Sequence, residues 1–170
     1  MPILEGFVKA RFASSILVAA LIAVGASGCA FITPQATTTI KEAADGVEGN
    51  VSPDIAMRNT TLISDDGKAA SLIVTLVNVG ESGNQVNIQY VNAAGTQVTE
   101  NAFVNAHSTL TLGGLTDKKI TFTGLDTKAG ALFPVFFQYG TQTGTKLLVP
   151  VLTSDWPQFA GLAPKVTSGK

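Results

Sequence analysis

A single sulfhydryl is the most distinctive reactive group in this chain. Cys29 is the only cysteine among 170 residues, and it directly follows the small residues Gly25-Ala26-Ser27-Gly28. A lone cysteine has no internal disulfide partner, so it is a free thiol, an intermolecular pair or a modified side chain. Other donors are scarce. His107 is the only histidine, and Met57 is the only methionine apart from Met1. Imidazole and thioether groups can ligate a metal ion, and each of these two side chains has an ordinary alternative. His107 reads equally as a solvent-facing residue at a strand edge, and Met57 as core filler.

Other chemistry lacks its parts. Acyl transfer needs a nucleophile, a base and a group that orients the base. Only His107 supplies an imidazole, and no Gly-x-Ser-x-Gly elbow accompanies it. The adjacent carboxylates Asp65 and Asp66 precede Gly67 in a turn-forming run. Neighbouring side chains at a strand end point apart, so they form no acid–base pair. No EF-hand loop, phosphate loop or dinucleotide fingerprint occurs. Trp156 and Phe159, in the run Trp156-Pro157-Gln158-Phe159, are candidate partner-binding aromatics. Packing back onto the domain is their competing use, since large rings bury much area.

The leader explains the position of the cysteine. Lys9 and Arg11 precede an apolar run from Phe12 to Val24, interrupted only by Ser14 and Ser15. A cationic start, a short apolar stretch and small residues before a cut site make a secretory signal peptide. The run is shorter than the roughly 20 residues of a membrane-spanning helix. Small residues followed at once by cysteine resemble a bacterial lipobox, with Ala26 where that pattern carries Leu or Val. The resemblance implies cleavage between Gly28 and Cys29 and a diacylglyceryl group on the Cys29 sulfur. Two acyl chains hold a protein stably where one is marginal. The expected address is therefore the extracytoplasmic face of the cell membrane, with residues 1–28 removed.

Composition narrows the partners. Charged residues are 14% of the chain and the formal net charge is −1. No basic patch is available to neutralise phosphates, so no nucleic-acid partner is expected. The expected partners are the membrane, through the lipid, and an envelope protein.

The elements that would position these residues are short strands. Residues 29–50 read as the lipidated cysteine and a tether, with Thr37–Lys41 as an alternative first edge strand because β-branched residues favour extended chain. Asp54–Ile63 alternates through Ile55, Met57 and Asn59. Asp65-Asp66-Gly67-Lys68 is a hairpin turn. Ala70–Val79 is nearly continuous in apolar residues and reads as a strand buried on both sides. Gln85–Val91 alternates, with Val86, Ile88 and Tyr90 on one face and Asn87 and Gln89 on the other. Thr96–Val104 reads as an edge, and His107–Leu112 and Lys119–Thr123 as further strands. Leu132–Tyr139 carries Pro134, which argues a bulge or an early edge position. Lys146–Leu152 is the last strand, with Pro150 limiting its pairing on one side.

Such spacing, with turns every 8 to 12 residues or so, argues an all-β sandwich of seven or eight strands over residues 51–152. Residues 153–170 read as an irregular tail. Three features carry a family resemblance: the Leu72–Asn78 strand leading into Val79-Gly80, the Gly124–Gly130 loop, and the Phe-rich strand followed by Leu148-Val149-Pro150-Val151. With these, the segment from Asn59 to Leu152 resembles the immunoglobulin-like lipoproteins related to the periplasmic copper-chaperone family PCu(A)C. The tether residues Phe31-Ile32-Thr33-Pro34-Gln35 resemble those of small actinobacterial surface lipoproteins. The resemblance implies an immunoglobulin-like (cupredoxin-like) antiparallel sandwich. It also implies copper handling, with His107 and Met57 as the metal candidates because copper(I) favours imidazole and thioether donors; one His and one Met do not make up that family's His/Met ligand set, and no other cofactor is expected. The leading expectation is a non-enzymatic, lipid-anchored domain that binds or scaffolds another envelope component. Copper handling is the alternative.

Overall fold

The computed structural model describes residues 44–165. Cys29, Gly28, the leader and Thr37–Lys41 lie outside the described residues. Nine strands form in chain order: β1 (Val47–Asn50), β2 (Ile55–Ile63), β3 (Ala69–Asn78), β4 (Asn84–Val91), β5 (Gln97–Val104), β6 (Ser108–Leu112), β7 (Ile120–Thr123), β8 (Leu132–Tyr139) and β9 (Thr145–Leu152). The fold is the expected all-β sandwich, cupredoxin-like in character. Its strands follow one hydrogen-bonded path, β5-β4-β8-β9-β2-β3-β6, with β1 against β2 and β7 against β3.

Two features depart from the expected pattern. The ninth strand is β1, which falls inside the stretch read as tether and pairs antiparallel with β2. Val47 is its only large apolar residue, so no period-2 signal marks it. Close packing admits it instead: a Cβ on Gly46 would overlap the backbone of Asn59 and Thr60. The second departure is one parallel contact in a set of antiparallel pairs, Leu62↔Val151 and Ile63↔Leu152 between β2 and β9.

That contact joins the two layers. From Thr145 to Pro150, β9 pairs with β8. At Val151 and Leu152 it runs beside β2. Pro150 has no N–H to donate, which suits a residue where the strand exchanges one neighbour for another. Pro134 obeys the same rule. The β4–β8 ladder covers Phe136–Tyr139 and stops short of it, leaving Pro134 paired with β9 alone.

The alternating residues meet between the layers. Val86, Ile88 and Tyr90 from β4 face Leu72, Val74, Leu76 and Phe122 from the other layer, all buried in one core. Tyr90 stacks on Phe122 with ring centroids 4.1 Å apart. Its hydroxyl accepts a hydrogen bond from the Thr123 amide at 2.9 Å, so the phenol is satisfied while its ring is buried. Strands β6 and β7 run end to end along β3, interrupted by the loop 113–119.

Strand β3 is buried on both faces only from Ala69 to Leu72; beyond Ile73 its outward residues are half-buried. A second, smaller apolar cluster accounts for part of the buried outer side. Ile63 packs there with Phe159 and Leu162, and Ile73 and Leu152 border it. The tail is thus partly ordered: Pro157–Phe159 forms a 3-10 helix that sets Phe159 against the outside of the sheet. In β2 the alternation stops at Asn59, which is exposed with φ +49°, and the register with β3 shifts there. Thr60 and Thr61 follow, both buried.

One buried polar side chain ties the turns at one end of the sandwich. The Asn78 amide donates to the carbonyls of Ser82 at 2.8 Å and Asn105 at 3.0 Å, and its carbonyl accepts from the Gly80 amide at 2.9 Å. It links the β3–β4 crossing to the β5–β6 turn. Asn78→Ala removes these bonds and leaves partly buried backbone carbonyls without their donor, at a cost of about 1–3 kcal/mol. Urea unfolding followed by tryptophan fluorescence checks this as a lower midpoint with unchanged slope.

Candidate functional site

The residues singled out in the sequence do not converge. Met57 is fully buried in the main core, where its methyl group lies beside Gly49. His107 stands at the β5–β6 turn with φ +48°, a left-handed conformation that few side chains adopt. Its Nε2 lies 3.0 Å from a Glu81 carboxylate oxygen, and both side chains are largely exposed. A shallow cleft of about 250 Å³ borders His107 between β3 and β6. The interior Met57 and the solvent-facing His107 therefore share no site. Among the described residues no three His, Cys, Asp or Glu side chains gather where a metal ion would sit.

The paired carboxylates diverge as expected. Asp65 accepts from the Ser154 amide at 2.8 Å and from its hydroxyl at 2.7 Å, pinning the start of the tail. Asp66 turns the other way and accepts from the amides of Lys68 at 2.8 Å and Ala69 at 3.1 Å. These backbone bonds, first Lys68 and then Ala69, hold the Asp66 carboxyl below its usual value of 3.8.

The candidate aromatics separate too. Phe159 is buried, whereas Trp156 is 61% exposed. The 3-10 helix starts between them and turns one ring inward and the other out.

The most developed surface feature lies elsewhere, on the outer face of β5, β4, β8 and β9. Residues paired across antiparallel strands share a face. One row crosses all four strands: Thr99, Gln89, Phe136 and Lys146. A second row on the same face is Asn101, Asn87 and Gln138. Gln97 pairs with Val91, and Pro134 with Leu148, on the side nearer the apolar end. A cleft of about 320 Å³ opens there, floored by Val91, Pro134 and Phe136 and walled by Gln89, Gln97 and Lys146. That volume is at the low end of the roughly 300–1,000 Å³ of small-ligand pockets. A larger hollow of about 520 Å³ sits at the loop end near Lys68, Ala93, Gly124 and Asp126, walled mainly by loops and small side chains.

The amides of the sheet face are held in pairs. Asn87 donates to Gln138 at 2.8 Å, and Gln97 donates to Gln89 at 2.9 Å. Among the described residues Lys146 is the only cationic or anionic side chain lining the cleft. The alternation of β4 marks Asn87 and Gln89 as outward-facing. Nothing in the sequence places them beside Phe136 and Lys146, because local periodicity carries no information on strand neighbours.

No family model and no curated protein sequence matches the chain.

Two outcomes follow from the geometry. Folded Asp66 holds its proton less tightly than unfolded Asp66, so its contribution is complete above pH 3.8 and is lost as pH falls below that value. Asp66→Asn therefore lowers the melting temperature at pH 7 and converges with the parent chain in strong acid, as melts across pH 2 to 7 will show. Phe159→Ala costs about 2–4 kcal/mol through the tail cluster, whereas Trp156→Ala stays within about 0.5 kcal/mol. Paired urea titrations, followed by circular dichroism, separate the two.

Proposed function

We propose that the chain is a lipid-anchored, extracytoplasmic binding domain of the cell envelope that carries out no catalysis. The carrying observation is the placement of the single cysteine: Cys29 directly follows Gly25-Ala26-Ser27-Gly28 at the end of a short apolar leader. Lipidation accounts at once for why there is one cysteine, why it stands there and why small residues precede it. The sandwich supports the binding part of the reading. Its core is closed, its outer sheet face carries ordered amides beside an apolar cleft, and that cleft lacks an acid–base pair.

The domain acts by placement. The anchor holds it at the membrane surface, and residues between Cys29 and the first strand span the gap to the folded body. With 17 peptide steps from Cys29 to Gly46, the reach is at most about 60 Å at roughly 3.4 Å per residue. Copper handling gains no support, since Met57 is in the core and His107 is bound to Glu81.

Intact-mass analysis of the protein from its own host is expected to give a chain beginning at Cys29 and bearing diacylglycerol. Cys29→Ser is expected to leave the membrane fraction, with the domain still folded. An unmodified thiol with the leader attached would remove the basis of the reading.

A further inference from the structure

The outer face of β5, β4, β8 and β9 has an uncommon composition for a protein surface. Charged residues of both signs interspersed over a surface favour solubility. Here the outward positions on all four strands are neutral except Lys146. Lys118 reaches this region only from beyond the edge strand, where its ammonium group lies 3.4 Å from the Asn101 carbonyl. In place of charge the face carries planar amides and a hydroxyl, grading into an apolar end made by Val91, Pro134, Phe136 and Leu148.

The polar half is set in advance. Gln89 and Gln97 lock each other, as do Asn87 and Gln138, and Gln138 is tied further to the Gly140 carbonyl in the β8–β9 loop. Each amide offers a donor and an acceptor in one plane. Among the described residues the Gln89 amino group and the Gln97 carbonyl have no further protein partner, so both remain open to a ligand. Fixed side chains lose little freedom on binding.

The apolar half is also prepared. Phe136 is half-buried, and the end of its ring lies over Gly144. A Cβ at Gly144 would stand 2.7 Å from Cζ of that ring, and Gly144 has φ +82°. Glycine is thus required there twice, for the turn and for the ring above it.

The geometry points to a neutral polysaccharide as the ligand of this face. A sugar ring presents a C–H face that packs on an aromatic or proline ring, and adjacent hydroxyls that pair with the donor and acceptor of one amide. Phe136 and Pro134 supply the first element, and Gln89, Gln97 and Asn87 supply the second. The missing charge disfavours anionic chains, since carboxylate or phosphate groups would be desolvated against Lys146 alone. The cleft has room for a short stretch of a chain, and the open face lets the polymer continue past it. This assignment rests on the binding-domain reading above and names the class of envelope component bound.

Native affinity electrophoresis of the full chain in mild detergent tests it. The gels contain soluble β-glucan, α-mannan or galactan, with polygalacturonate as the anionic control. Retardation by at least one neutral polymer and none by polygalacturonate is expected. Phe136→Ala is expected to weaken binding at least about tenfold, and Gln89→Ala and Asn87→Ala several-fold each, while Leu115→Ser, away from the face, changes nothing. Melting curves check folding; if Phe136→Ala unfolds, Gln89→Ala, Asn87→Ala and Gln97→Ala carry the test. Migration unchanged in all three neutral polymers overturns the assignment, as does equal retardation by polygalacturonate. Concentration-dependent self-association lost in Gln89→Ala, without polysaccharide binding, would make the face a contact between two copies and overturn it equally. A chain lipidated at Cys29 that ignores every polymer loses only the ligand class, whereas an unmodified Cys29 leaves the sheet-face result standing.

Discussion

Strand β9 belongs to both layers of the sandwich, and the arrangement of the domain depends on that double pairing. Its first six residues complete the layer of β5, β4 and β8. Its last two lie parallel to β2 and so hold the other layer at a set distance and angle. Proline at position 150 is compatible with this because it has no N–H that needs a partner on either strand. Each layer alone would expose an apolar face. Joined at β9, the two faces oppose each other and leave water together, which is the main favourable term in folding.

Burial of one face dictates the use of the other. Along β4, Val86, Ile88 and Tyr90 are committed to the core, so Gln85, Asn87, Gln89 and Val91 must face out. The same holds for β8, where Val135, Phe137 and Tyr139 point in and Pro134, Phe136 and Gln138 point out. On the opposite layer the outer side is partly closed by the tail through Phe159 and Leu162. Among the described residues the tail covers part of one outer face, and the other outer face is the one with ordered amides and little charge.

Polar groups at the ends of the sandwich keep these faces in register. Asn78 joins the β3–β4 crossing to the β5–β6 turn, and Asp65 fastens the tail to the β2–β3 hairpin. His107 belongs with them, a turn residue in a left-handed conformation paired with Glu81 across the neighbouring turn. The rarest side chains in the domain thus serve its architecture, and the candidate ligand surface is made of common ones.

Much of this was legible one strand at a time. Eight of the nine strands announce themselves through period-2 alternation or continuous apolar runs, and Asp65-Asp66-Gly67-Lys68 announces its hairpin. The exceptions have local causes. Val47–Asn50 has too few apolar residues for a pattern, and glycines admit it to the edge of β2. Asn59 breaks the alternation of β2 because its backbone turns left-handed. Trp156 and Phe159 look alike in sequence, and only a 3-10 helix between them decides which is buried. By itself the sequence determined which residues are extended, which side each faces and how little charge the chain carries, because these follow from side-chain chemistry at a spacing of two. Tertiary structure alone decided that Gln89 lies beside Phe136 and Asn87 beside Gln138. Strand neighbours are chosen by contacts between distant segments, and no local repeat records that choice.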